Sequence, residues 1–85
     1  MSAPRFAVDT VERVYELRAR TGGRVEQLVV DEGQMVAEED AIAIIDSAGE
    51  RLELTTNVPG VVRELYIERG QPVLVGEVIA LIDES

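Results

Sequence analysis

From residue 15 the chain alternates: Tyr15, Leu17 and Ala19 fall on one side, Glu16, Arg18 and Arg20 on the other. That two-residue period predicts a half-buried strand over Tyr15–Arg20, ended by Thr21-Gly22-Gly23. Further strands are predicted over Arg24–Val30, Ala41–Asp46, Arg51–Thr56, Val61–Glu68 and Val78–Asp83, with very short ones around Val36 and Val73. Turn residues separate them: Asp31-Glu32-Gly33, Glu68-Arg69-Gly70, and the polar break Asp46-Ser47-Ala48-Gly49-Glu50-Arg51 between two apolar runs, a hairpin signal. Pro59 and Pro72 fall at strand starts or turns, where a missing N–H costs nothing. Residues 1–13 are read as a tail or a short helical turn, since Ala7, Val11 and Val14 have helical spacing and little else favours a helix. Residues 14–85 form the globular part.

The same pattern occurs twice. A shift of 37 residues lays Gly23–Asp46 over Gly60–Asp83 without a gap, and ten of the 24 aligned positions are identical. They include Gly23/Gly60, Gly33/Gly70, Gln34/Gln71 and Asp46/Asp83. Two copies are too few for an open solenoid, which needs about three to bury a continuous core, so the halves must close on each other about a pseudo-twofold axis. About eight short strands and no convincing long helix give an all-β fold, a sandwich or flattened barrel of antiparallel sheets.

Composition narrows the function. Eighty-five residues allow one domain, and 46% hydrophobic content with only 4% aromatic requires a core of Val, Ile, Leu and Ala. Seventeen acids against eight arginines give a net charge of −9, which argues against nucleic acid or an anionic membrane as a partner and suits basic protein surfaces. Cysteine and histidine are both absent, which removes disulfides, thiol chemistry and imidazole catalysis. Scattered carboxylates form no pair that spacing alone would bring into a cleft, so no enzyme is expected. The acidic run Glu38-Glu39-Asp40 diverges on a turn and is read as a solvated surface, with no metal site. Neither a signal peptide nor an apolar run of spanning length is seen, and the expected location is the cytoplasm.

The pattern Gly-x-Val-x-x-Leu-x-Val-x-x-Gly-Gln-x-Val in the first half, then an apolar strand ending in an acid, a hairpin, and Val58-Pro59-Gly60-Val61-Val62-Arg63-Glu64-Leu65, resembles the biotinyl/lipoyl attachment domain. The resemblance spans about residues 15–84 and implies a barrel-sandwich hybrid with pseudo-twofold symmetry. In that family a lysine at the tip of the central hairpin carries biotin or lipoyl, eleven residues before the glycine that corresponds to Gly60. Here that position is Gly49. The flank Ile45-Asp46-Ser47-Ala48 resembles the acidic approach to a lipoyl-type lysine and not the paired methionines of the biotin type. The chain contains no lysine, and the always-protonated guanidinium of arginine cannot replace an amine nucleophile. No cofactor is therefore expected.

A second departure is Glu39, where the family usually has glycine, as at Gly76; it implies a rebuilt turn or a strain of roughly 1 kcal/mol or more. Ser47 could in principle carry phosphopantetheine or phosphate, but such carriers resemble helical bundles and a hairpin serine is ordinarily a turn residue. The resemblance then implies a binding or scaffolding module linked to a 2-oxoacid dehydrogenase or biotin carboxylase type complex. Partners would read the hairpin face at Ser47, Gly49, Glu50 and Arg51. An alternative is the lipoyl-like hybrid motif of membrane fusion or efflux adaptor proteins, which need no lysine but insert a long helical hairpin between the halves. A third is a carrier whose lysine was lost by substitution or engineering. An edge strand in so small a barrel leaves homo-oligomers open as well.

Overall fold

The computed structural model describes residues 13–85. Of the sequence expectations, the tail or helical turn over residues 1–13 lies, except for Arg13, outside the described residues. Eight strands follow in order: β1 Val14–Arg18, β2 Gly23–Leu28, β3 Met35–Val36, β4 Ala41–Ser47, β5 Glu50–Thr55, β6 Gly60–Leu65, β7 Pro72–Val73 and β8 Val78–Glu84. They form two four-stranded antiparallel sheets, ordered β1-β8-β6-β3 and β5-β4-β2-β7. The short strand of each half has left its own half: β3 pairs with β6, and β7 pairs with β2. The two repeats therefore interlock, and neither sheet can be completed without residues from both.

Strand-by-strand comparison carries the repeat further back than Gly23. The pairing of β1 on β8 is repeated by β5 on β4, so Val14–Asp46 corresponds to Arg51–Asp83 and Leu17 is the counterpart of Leu54. Both leucines are buried. The core consists of Val, Ile, Leu and Ala from both halves, among them Leu17, Val25, Ile42, Ile45, Val62, Ile79 and Ile82, all at 0–1% exposure. The alternation in β1 holds: Leu17 and Ala19 are buried, Tyr15 packs against the core, and Glu16, Arg18 and Arg20 are exposed.

β1 ends earlier than the alternation suggests, because the backbone of Ala19 bonds to a turn. Ala19 donates to the Glu77 carbonyl at 2.9 Å and accepts from Gly76 N–H at 2.8 Å, which ends β1 at Arg18. The connection Asp31–Gln34 is a β-turn with Gly33 at φ 88°, and Glu68–Gln71 repeats it with Gly70 at φ 89°. The repeated glutamines have a structural role: Gln34 Oε1 accepts from Asp31 N–H at 3.2 Å, and Gln71 Oε1 from Glu68 N–H at 3.1 Å. Each turn then bonds across to the other half, Gly33 N–H to the Val62 carbonyl and Gly70 N–H to that of Val25, both at 2.7 Å.

Gly23 and Gly60 are repeated for a different reason. Each starts a strand pressed on the backbone of a neighbouring strand, so that a Cβ at Gly23 would lie 2.3 Å from the Asp46 carbonyl oxygen. At Gly60 a Cβ would lie 2.0 Å from that of Asp83.

Glu39 has the strain anticipated for it. Its φ is 72°, against 90° at Gly76, and its N–H bonds to the Thr56 carbonyl at 2.7 Å as Gly76 bonds to Ala19. The turn is kept, and the side chain adapts to it. Replacing Glu39 by glycine should therefore stabilise the domain by a few tenths to about 1 kcal/mol, because relief of left-handed strain outweighs the added freedom of the unfolded chain. Urea unfolding of the variant against the parent measures it.

Candidate functional site

The first half passes to the second through the shortest link two antiparallel strands permit. β4 and β5 are in register as far as Asp46↔Arg51 and Ser47↔Glu50, so only Ala48 and Gly49 are loop. The break Asp46–Arg51 is thus mostly strand. Ala48 has φ 52° and Gly49 φ 86°, the two positive values of a type I′ turn, whose twist matches that of the strands it joins. Glycine suits the second position, while Ala48 carries a strain that the register enforces. The Asp46 carboxylate caps the turn, accepting from Gly49 N–H at 3.0 Å.

Of the expected contact residues, Gly49, Glu50 and Arg51 are exposed and Ser47 is half-buried. Ser47 Oγ lies 3.3 Å from Thr21 Oγ1, tying the hairpin to the β1–β2 connection. Arg51 forms an ion pair with Glu26 on β2, with Nε at 3.0 Å from Oε2. Nothing lies within 4 Å of a Cβ built on Gly49, so the tip projects freely.

The tertiary structure adds two neighbours that strand patterns do not reveal. Gly22 lies beside Val73 and Val75, which brings the turn after β7 to the same end of the molecule as the hairpin. That turn exposes Leu74 at 74% and Val75 at 69%. On the flank is a cleft of about 330 Å³ lined by Ala19, Arg20, Thr21, Ile45, Leu52, Glu53 and Leu54. A signal for the first was present in the sequence, because two large aliphatics occupy turn positions where the first repeat has Ala37 and Glu38.

Titratable groups offer little chemistry. Tyr66, after β6, donates its phenol O–H to Glu64, and that bond raises its pKa above the ordinary 10.0. Among the described residues no three Asp or Glu side chains converge as metal ligands would.

The fold, the repeat and the hairpin can now be set beside known proteins. The biotin/lipoyl family model, described as "Biotin-requiring enzyme", matches residues 19–82. The chain belongs to this family. No curated protein matches the sequence significantly. Among solved structures, the urea carboxylase of Kluyveromyces lactis superposes with a TM-score of 0.79 at 22% identity, over 85% of this chain and 6% of that one. A single-chain, multi-domain long-chain acyl-CoA carboxylase gives 0.79 at 19% identity, over 96% of this chain and 8% of that one. The lipoyl domain of the 2-oxoglutarate dehydrogenase complex of Azotobacter vinelandii gives 0.64 at 20% identity, over 89% and 100%. This biotinyl/lipoyl domain thus spans a small fraction of the carboxylase chains and the whole of the isolated lipoyl domain. The likeness is one of fold: two interlocked antiparallel sheets with a single hairpin at one end.

Proposed function

We propose that this biotinyl/lipoyl domain carries neither biotin nor lipoyl and acts without catalysis, as a protein-binding or scaffolding module of a carboxylase or 2-oxoacid dehydrogenase type assembly in the cytoplasm. The observation that carries the reading is Gly49, at the exposed second position of the type I′ tip, in a chain with no lysine. Attachment of either group requires the neutral amine of a side chain, and the residues at the tip supply none. The residues present do not fit the covalent cofactor. What remains at the tip is shape and charge: a small, projecting loop bordered by Glu50 and Arg51.

The context is supported by multi-domain carboxylases whose small segments share this fold. The adaptor-protein alternative draws less support, because a two-residue turn joins the halves where such adaptors would insert a helical hairpin.

Exchanging the two charges tests the reading. Glu50→Arg with Arg51→Glu should leave the thermal transition nearly in place, since the exposed Arg51–Glu26 pair contributes about 0–1 kcal/mol. Capture of the partner recovered by the parent domain should fall about tenfold or more, as expected when charges are reversed at a contact. Equal recovery by both proteins would reject the hairpin as the contact surface.

A further inference from the structure

The internal repeat supplies a control for judging which surface contacts the fold completes and which it leaves open. The turns Asp31–Gln34 and Glu68–Gln71 share their backbone bonds, their glutamine caps and their links to the other half. Their second residues differ: Glu32 in one, Arg69 in the other. In the first turn that residue has a visible use. Glu32 Oε2 accepts from Leu65 N–H at 3.0 Å, on the side of β6 away from β8 and past the end of the short β3.

The counterpart of Leu65 is Leu28, and its backbone is set the same way. Val29 N–H bonds to the Ile42 carbonyl of β4 at 2.9 Å, as Tyr66 N–H bonds to the Ile79 carbonyl of β8, also at 2.9 Å. Consecutive strand residues direct their N–H groups to opposite sides, so Leu28 N–H points away from β4 as Leu65 N–H points away from β8. The strand on that side, β7, pairs only with Gly23 and Arg24 and does not reach Leu28. Arg69 stands in the turn position that supplies the capping carboxylate in the other half, and a guanidinium accepts no hydrogen bond. Among the described residues Leu28 N–H has no acceptor, and Arg69 has neither a hydrogen bond nor an ion pair.

Leu28 and Arg69 line one hollow of about 410 Å³, together with Glu26 and Gln27. A backbone donor and a permanent cation thus share a space that holds no acceptor for them. The acids nearby do not fill it. Glu26 is held by Arg51, with Oε2 at 3.0 Å from Nε, and Asp46 caps Gly49 in the hairpin. Glu68, exposed in the same turn as Arg69, bonds to neither donor. Arg24, whose guanidinium bonds to the Gly70 carbonyl at 2.6 Å, adds a second positive charge at this turn.

We infer that this hollow is a carboxylate site, in which one oxygen of an Asp or Glu side chain of a partner protein accepts from Leu28 N–H and the other pairs with Arg69. The molecule itself specifies the occupant's chemistry, because Glu32 fills the equivalent place in the other half. Arginine adds a planar fork that a carboxylate matches, and such charge-assisted bonds are about twice as strong as neutral ones. The net charge of −9 opposes an acidic segment at long range, but at physiological salt that field is screened beyond about 8 Å, so the site selects by contact. Being open to water, it serves as one contact within a wider surface. The inference rests on the protein-binding reading for the source of the carboxylate, and it gives an acidic segment as what is recognised.

Nuclear magnetic resonance of the isotope-labelled full chain, titrated with acetyl-glutamate methylamide at constant ionic strength, tests the site. The Leu28 amide proton should move downfield with a dissociation constant on the order of 1–10 mM. The Leu65 amide, already bonded to Glu32, should stay in place, and the neutral glutamine analogue should move neither. Arg69→Ala should weaken the response about fivefold with an unchanged thermal transition, since the side chain it removes is exposed and unpaired. Arg69→Glu, which installs the first turn's residue, should move the Leu28 amide downfield with no probe present and abolish the response. A Leu28 amide that ignores the glutamate probe, or answers the glutamine probe equally, overturns the inference. So does an affinity unchanged by Arg69→Ala, or a Leu28 amide unmoved by Arg69→Glu. Because these measurements need no partner, the site can fail while capture through Glu50 and Arg51 stands, and the reverse.

Discussion

Gly49→Lys should convert the domain into a substrate for a lipoate or biotin ligase, taking modification from none to nearly complete. The tip is a two-residue turn held on both sides by paired strands, so the new side chain projects beyond the molecule. No atom lies within 4 Å of the Cβ it would bear. The cost is conformational: φ 86° is left-handed, and a lysine there is less favourable than glycine by about 1–2 kcal/mol. That is a modest part of the roughly 5–15 kcal/mol a domain ordinarily has. The Asp46 cap on the residue 49 N–H persists, since it uses only backbone. Incubation with each ligase and its activated cofactor, followed by intact-mass measurement, gives the answer, and the acidic flank favours the lipoate enzyme. A variant that folds yet gains no mass with either ligase would remove Gly49 from the attachment position.

The largest effect on stability is expected at Gly60. Gly60→Ala places a methyl group 2.0 Å from the Asp83 carbonyl oxygen and 2.8 Å from its carbonyl carbon, contacts that real Cβ atoms do not make. The obstruction is backbone, so no rotamer change relieves it. Gly60 pairs with Glu84 on one side and with Val36 on the other, so β6 has no free direction in which to move. A loss of about 3 kcal/mol or more is expected, the upper range for overpacking. For a domain of this size that lowers the midpoint by roughly 10–25 °C. Gly23→Ala, with 2.3 Å to the Asp46 oxygen, should follow the same course slightly less severely. By contrast Gly33→Ala, where a Cβ meets nothing within 4 Å, should cost only the positive-φ strain of about 1 kcal/mol. Thermal melts of the three variants order them. Equal losses at all three positions would show that conformation, and not contact, governs these glycines.

Much of this domain can be read along the chain because its halves repeat and its strands alternate. All eight strands lie where alternation and turn residues place them, and Glu39 reveals itself as an anomaly by comparison with Gly76. Ends were less legible. Tyr15–Arg20 becomes Val14–Arg18, since Ala19 bonds to the turn residues Gly76 and Glu77, and Val61–Glu68 becomes Gly60–Leu65, with the Tyr66 N–H still bonded to the Ile79 carbonyl of β8. The reach of the repeat back to Val14 was hidden as well. Leu17/Leu54 and Glu16/Glu53 are the identities there, scattered among unlike pairs, and only the strand pairing makes the alignment compelling.

By itself, the sequence determined the all-β class, the twofold repeat, the central hairpin and the lack of any amine at position 49. Each depends on residue type and local spacing, which a linear reading preserves. The tertiary structure alone decided that β3 and β7 change sheets, that Gly23 and Gly60 are pinned against a neighbouring carbonyl, and that Leu74, Val75 and an apolar cleft share the hairpin's end of the molecule. The physical reason is that alternation states which face of a strand is buried but not which strand lies beside it. Contacts between residues dozens of positions apart are set by how the two halves close on one another, and that closure has no signature in any single stretch of chain.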